Sequence, residues 1–463
     1  MLDPQRLARR GVVALLALAL AATCATAGPT PLQLPPVKKT TLGNGLVVLV
    51  MPTHRVPIVD FRLVTRAGSV NDPPGKEGLA SLTAALLTQG AGKRGARQLA
   101  EDIAFVGAQL EADAAAEQLI VTCDVLTKDF ATGLELFHDV IVAPTFPAAE
   151  FARKKAERLG DLASEKDDPS TVANNELGPF LLQHSPLAHP VDGWEKSVTA
   201  IGRGDVVAFH RKYVTPGNSM LAVVGDVDPD QVIAALERAF GDWKGAAAAA
   251  ASYDTPPVKG REVLIVNKPE VTQTQIRLAT IGVPRNSPDY FPIVVANTIL
   301  GGGFTSRLVN EVRVVQGLTY GIGSQWSMFR NAGTYEITTF TRNETLRKCV
   351  DASLGVVRKL VEQGPSDEEL AKAKRYLTGQ FPLGLQASDA LAAQLLNIQF
   401  YGLDPRYLET YAGNVNAVTM ADVRRVLKER FALDDLRILV VSDPKTAKPA
   451  LEGLGAIAVQ EMR

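Results

Sequence analysis

The chain has 463 residues, of which 46% are hydrophobic and 21% charged, with 49 Lys and Arg against 50 Asp and Glu. That length supports two or more domains with full-sized cores. A net charge of −1 excludes the basic footprint by which proteins hold nucleic acid, so no nucleic-acid partner is expected. At the start, Arg6, Arg9 and Arg10 precede an apolar run from Val12 to Ala22, and Ala25-Thr26-Ala27 forms a small-x-small cleavage site before Gly28. This predicts a secretory signal peptide over 1–27, because the run is too short to anchor a mature chain in a bilayer. Cys24 raises a lipoprotein alternative, but Ala21-Ala22-Thr23 lacks the leucine and small-residue pattern, so simple cleavage is expected. The mature chain is thus expected to be exported to a bacterial periplasm, with no transmembrane segment. It would carry a net charge of −3, since the leader holds three Arg and one Asp. Cys123 and Cys349 remain, far apart in sequence, and read as two buried free thiols.

Residues 28–38 are proline-rich and read as an extended lead-in. Leu46 to Met51, Ile58 to Thr65, Gln118 to Val125 and Leu221 to Val224 have the β-branched or alternating character of strands. Gly75 to Thr88, Arg97 to Phe105, Phe130 to Val142, Ala148 to Lys166 and Arg203 to Tyr213 read as helices. The pattern is α+β, a mainly antiparallel sheet with helices on one face. Gly245 to Gly260, with an alanine run and Pro256-Pro257, reads as a linker over 245–260.

The second half then repeats the first. Val198 to Asp205 aligns with Val415 to Asp422, and Val223 to Asp226 with Val440 to Asp443, both at an offset of 217. Glu150 to Leu159 matches Glu369 to Leu377 nearly in phase. The expected architecture is two homologous lobes, 39–244 and 261–445, with a cleft between them as a place for ligands.

Ala67-Gly-Ser-Val-Asn-Asp-Pro-Pro-Gly-Lys-Glu-Gly-Leu-Ala80 resembles the segment that leads into the active-site helix of the insulinase/pitrilysin/mitochondrial-processing-peptidase family. In that family the next five residues are His-x-x-Glu-His. Two His four apart share one face of a helix and one Zn²⁺, and the Glu polarises the bound water. Here the five positions read Ser81-Leu82-Thr83-Ala84-Ala85, so both histidines and the general base are missing. The family's third ligand, a Glu about 75 residues on, falls near Asp161, which reads as an exposed helix Asp. The five histidines, at 54, 138, 184, 189 and 210, show no zinc spacing, and His184 and His189 read as loop residues. No metal ligand and no cofactor are expected in this chain.

Gly301-Gly-Gly-Phe-Thr-Ser-Arg307 through Arg313 to Tyr320-Gly321 closely resembles the signature of the family's C-terminal lobe. The resemblance implies that Arg313 and Tyr320, seven apart, hydrogen-bond substrate and the carbonyl oxygen as it becomes an oxyanion. A rigid, always-charged fork and a phenol donor suit that task. Arg307 is expected to be structural. The Gly301–Gly303 run lacks a phosphate-loop ending and reads as a flexible loop, with Gly302 and Gly303 letting substrate backbone approach.

Across roughly residues 39–445 the resemblance is to the non-catalytic subunit of two-chain peptidases. It implies an exported heterodimer in which a homologous partner with an intact His-x-x-Glu-His motif binds the zinc, while Arg313 and Tyr320 reach the peptide substrate across the interface. The alternatives are a structural or peptide-binding derivative of the fold, a peptide-binding homodimer, and an autonomous peptidase with other ligands. The last is disfavoured by Ser81, Ala84 and Ala85.

Overall fold

The computed structural model describes residues 34–431 and 434–463; the leader expected over 1–27 lies outside them. In chain order the first-lobe strands are β1 (Lys38–Thr41), β2 (Val47–Pro52), β3 (Ile58–Thr65), the short pair β4 (Gly90–Ala91) and β5 (Arg94–Gly95), β6 (Gln109–Ala114), β7 (Leu119–Leu126) and β8 (Ser219–Gly225). The main sheet has the order β1-β2-β8-β3-β7-β6. Every residue of β8 is buried, as a continuous apolar run covered on both faces requires. It lies parallel to β2 and antiparallel to β3, with Val223 opposite Val50 and Phe61.

The second-lobe strands are β9 (Arg261–Asn267), β10 (Gln273–Ile281), β11 (Ile322–Met328), β12 (Gly333–Arg342), β13 (Leu436–Ser442) and β14 (Ala456–Glu461). Their order is β11-β12-β10-β13-β9-β14. Read from the other end, this is the first sheet again, down to one parallel pair in the middle: β2 with β8, and β9 with β13. β8 begins at 219 and β13 at 436, the offset of 217 seen in the sequence. Only the added edge differs. β1 runs antiparallel to β2, whereas β14 runs parallel to β9 and carries the sheet beyond residue 445.

Each sheet packs one face on helices of its own lobe. In the first, Phe61, Leu63, Leu221 and Val223 meet helices that include Leu79–Leu87, Phe130–Val142 and Pro229–Phe240. In the second, Ile276, Leu278, Ile438 and Val440 meet Tyr290–Leu300, Leu346–Gln363 and Met420–Arg430. The opposite faces are covered by exchange. Helix Pro169–Leu182 of the first lobe lays Val172, Ala173, Leu177 and Leu181 on Leu264, Val266, Ala279, Leu439 and Val441. Helix Ser388–Tyr401 of the second lobe packs on β3 and β8, with Leu391, Leu395 and Leu396 in one core with Met51, Val64, Met220 and Val224. At these helices the space between the lobes, suggested by the duplication to be a cleft, is filled with apolar side chains.

The exchanged helix at Pro169 starts where local chemistry directs. Asp168 accepts from the amides of Ser170 and Thr171, and Pro169 takes the first turn, where no amide donor is needed. The central strands supply a matching device. Arg62 on β3 and Arg277 on β10 stand at equivalent positions, 215 residues apart, and Arg277 is directed at the start of the first lobe's exchanged helix. Arg277 is fully buried and donates to Asn174 Oδ1 at 2.9 Å and to Ser170 Oγ at 3.0 Å. Arg62 lies in the field of Asp389.

The linker forms no helix despite its alanine run, yet it is pinned. Thr215 Oγ1 donates to the Ala246 carbonyl at 2.8 Å. Tyr253 is buried, and its hydroxyl donates to the Glu117 carboxylate, which also accepts the Arg330 amide at 3.1 and 3.2 Å. Cys123 and Cys349 are free and buried, and burial pushes the Cys123 thiol up to about 12 and the Cys349 thiol to about 11. Among the described residues no helix is long and apolar enough to cross a membrane.

Candidate functional site

In the second lobe, helix Tyr290–Leu300 ends at the glycine run. The amides of Gly301 and Gly302 both return to the Asn297 carbonyl, at 2.9 and 2.8 Å. The Asn297 side chain then holds the edge strand β11, accepting from Ser324 Oγ at 2.7 Å and donating to the Ser324 carbonyl at 3.0 Å. Ser324 N–H closes the ring by donating to Gly301 O at 3.1 Å. A side chain at Gly301 would collide with Ser324, and one at Gly302 would press on Asn297 and Thr298 at 3.1 Å. The run expected to be flexible is therefore anchored, and its close approach is to the protein's own strand. Gly303 alone is open, with a Tyr376 ring carbon at 4.0 Å from where its Cβ would stand.

The chain next makes a π-helical turn, Val309–Val315, that carries Arg313. Such turns widen the backbone ladder and recur at functional sites. The Arg313 guanidinium carbon lies 4.9 Å from the centre of the Phe304 ring and 5.1 Å from that of Tyr320. Phe304 is 73% exposed and Tyr320 81%. The structure thus brings Arg313 and Tyr320 together at the surface as a stacked pair. Among the described residues no carboxylate lies within 4 Å of Arg313. Arg307 points elsewhere: it grips Glu369 through two bonds of 2.6 and 2.8 Å and donates to the Gly364 carbonyl at 3.2 Å. This bidentate fork holds the Glu369 carboxyl down at about 2, mainly through the Arg307 hydrogen bonds.

In the first lobe, helix Leu79–Leu87 begins at Gly78, whose φ of 99° and close contact with the Asp192 carbonyl admit no side chain. Asp72 accepts from the amides of Gly78 and Ala80 at 2.8 Å each. Burial outweighs these bonds and raises its carboxyl to about 7. At the position of the family's first histidine, Ser81 donates to Asp192 and accepts from Arg158 Nη2 at 3.1 Å. Arg158, from helix Ala148–Glu165, is ion-paired with Asp192. A guanidinium thus stands against the helix face that would carry a metal. Ala84 is buried and offers no donor atom. Asp161 is exposed, as expected of a solvated helix residue. No group of three His, Cys, Asp or Glu among the described residues is placed to hold a metal. The residues do not fit a zinc ion.

Sequence reasoning missed Arg158 and Asp192, which meet only through the packing of two helices and a loop. It also passed over Phe304, although that residue lies inside the signature, because spacing says nothing about which ring a guanidinium will choose.

Comparison with known proteins identifies the family. The profile described as insulinase (peptidase family M16) matches residues 47–193, and that described as peptidase M16 inactive domain matches residues 200–377. An uncharacterized zinc protease of Streptomyces coelicolor is 26% identical over 400 residues, covering 85% of this chain and 87% of that protein. One from Mycobacterium tuberculosis is 26% identical over 393 residues, covering 84% and 90%. The crystal structure of a peptidase M16 inactive domain from Pseudomonas fluorescens superposes with a TM-score of 0.83 at 30% identity, covering 88% of this chain and 98% of that one. With that likeness along most of its length, and with Ser81, Ala84 and Ala85 at the motif positions, the chain belongs to the insulinase family of peptidases, M16, and resembles its inactive subunits.

Proposed function

We propose that this chain is the non-catalytic subunit of an exported zinc metallopeptidase heterodimer. One observation carries the reading: Arg313 and Tyr320 are paired at an exposed surface, while Arg158 lies against Ser81, the residue at the position of the family's first histidine. A binding pair kept without its own metal makes chemical sense beside a metal in another chain. The homologous partner, with its His-x-x-Glu-His motif, holds the zinc. This chain's own contribution is binding and orientation. The Arg313 fork takes the carbonyls of an extended peptide, Tyr320 donates a hydrogen bond to the oxygen that gains charge, and Gly303, where the space beside the backbone is open, leaves room for the peptide. The basic, apolar and small-residue order of the leader supports export.

The test is peptide hydrolysis by this chain, by the zinc-motif homologue of the same organism, and by the mixture. Activity is expected only in the mixture. Removing one oxyanion donor typically lowers the rate about a hundredfold or more, so Tyr320→Phe and Arg313→Ala are each expected to reduce the mixture's turnover on that scale without dissociating the complex. A stable complex whose activity is indifferent to both substitutions would instead favour a structural or peptide-binding role.

A further inference from the structure

We propose that a groove beside the glycine run is a carboxylate-binding subsite for peptide. The groove has a volume of about 710 Å³ and runs from Gly301 and Gly302 along the free edge of β11 to the end of helix Ser388–Tyr401. Arg285 forms part of its wall. The Arg285 guanidinium carbon lies 3.8 Å from the centre of the Tyr290 ring and 5.2 Å from that of Tyr407. One of its five donors is used, from Nη2 to the Tyr407 hydroxyl at 3.0 Å. Among the described residues no carboxylate lies within 4 Å of it, and the groove lining contains neither Asp nor Glu. Glu336, on the strand next to the edge, is held by Gln325.

One further polar side chain on the groove wall suits the same ligand. The side-chain amide of Asn397 engages no other described residue. A fixed guanidinium, flanked by aromatic rings, with four donors unspent and the Asn397 amide on the same groove wall, is suited to a planar anion that accepts on two oxygens. The neighbouring glycine run is where the proposed function places the substrate backbone, so the anion is a carboxylate of the peptide, on an acidic side chain or at the C-terminus. The subsite rests on the reading of this chain as a peptide-binding subunit.

Calorimetric titration of the purified full chain with three short peptides of Ala and Ser tests it. One is blocked at both ends, one is blocked but carries a central Glu, and one is neutral with a free C-terminal carboxylate. At least one carboxylate peptide is expected to bind about tenfold or more tightly than the blocked neutral peptide, and which one does so identifies the source of the anion. Arg285→Met is expected to abolish the preference and Arg285→Lys to keep part of it. Asn397→Asp, which leaves the Arg285 stack intact and supplies an internal carboxylate, is expected to abolish it independently. Equal affinity for all three peptides, or a preference that survives both Arg285→Met and Asn397→Asp, overturns the subsite but not the subunit reading. Failure of all three to bind also overturns it, and hydrolysis by the mixed chains then decides the subunit reading separately.

Discussion

Arg277 ties the lobes together, and its removal should show how much. The side chain is fully buried. It donates to Asn174 Oδ1, to Ser170 Oγ and O at 3.0 and 3.2 Å, and to its own strand at the Ile276 carbonyl at 3.1 Å. No described carboxylate is close enough to form an ion pair with it. Arg277→Ala leaves the Asn174 and Ser170 oxygens without this donor, at about 1–3 kcal/mol each. It also loses the packing of the aliphatic stem, about 2 kcal/mol. Against this, removing a buried charge recovers a desolvation penalty of about several kcal/mol, which is also why burial lowers the Arg277 pKa. The balance is a loss of about 3–4 kcal/mol for Arg277→Ala and about 1–2 kcal/mol for Arg277→Met, which restores the stem. Urea unfolding followed by circular dichroism measures both. Hydrogen exchange should localise the loosening to helix Pro169–Leu182. A stable, fully folded Arg277→Met protein, equal to or firmer than the parent, would refute the reasoning, because the guanidinium would then be a burden on the interface rather than its lock.

Other consequences concern protons and metal. Because Arg307 holds the Glu369 carboxyl at about 2, below its ordinary value, the pair's contribution is complete above about pH 4.5 and is lost as pH falls through about 2. Glu369→Gln is expected to lower stability at neutral pH by about 1 kcal/mol, the pair being partly solvated, and to converge with the parent in acid, as melting temperatures across pH will show. Asp72 behaves in the opposite sense. Its carboxyl is raised to about 7, so the folded state keeps a proton that the unfolded state has released. Its contribution is complete below about pH 3.8 and is lost as pH rises through about 7. Relative to Asp72→Asn, the parent should lose melting temperature steadily over that interval, and a pH-independent difference would sink the assignment. Finally, restoring the motif as Ser81→His, Ala84→Glu and Ala85→His should give weak zinc binding while Arg158 remains. Adding Arg158→Ala should tighten zinc by about tenfold or more, since a guanidinium and Zn²⁺ repel at contact distance; competition with a chelating dye reads the difference.

How much of this was legible in the sequence depends on where each signal resides. The duplicated topology was, because β8 and β13 are uninterrupted apolar runs at one fixed offset, and such runs must be central strands. The missing His-x-x-Glu-His motif is read from the sequence itself, since Ser81, Ala84 and Ala85 are not the side chains that such coordination uses at helical spacing. The helix exchange was not. Pro169–Leu182 and Ser388–Tyr401 each bury an apolar face, but an amphipathic pattern does not say against which sheet. The same limit hid Arg158. Its partners, Ser81 and Asp192, lie 77 and 34 residues away, and a lone Arg on a charged helix resembles any solvated one. The glycine run was legible as a place of close approach, but its inner neighbour was not: Ser324 of β11 fills the space beside Gly301, and Gly303 is the open position.

The two lobes differ in how the arginines of their candidate sites are held. In the first lobe Arg158, against Ser81 of helix Leu79–Leu87, is neutralised by Asp192, so the helix keeps its buried packing with that charge paired. In the second lobe Arg313 lies against the Phe304 and Tyr320 rings, and Arg285 lies against Tyr290 with one hydrogen bond to the Tyr407 hydroxyl; among the described residues neither has a carboxylate within 4 Å, unlike Arg307, which is paired with Glu369. The Arg313 and Arg285 guanidinia are the places where the proposed subunit role and the proposed subsite put substrate oxygens.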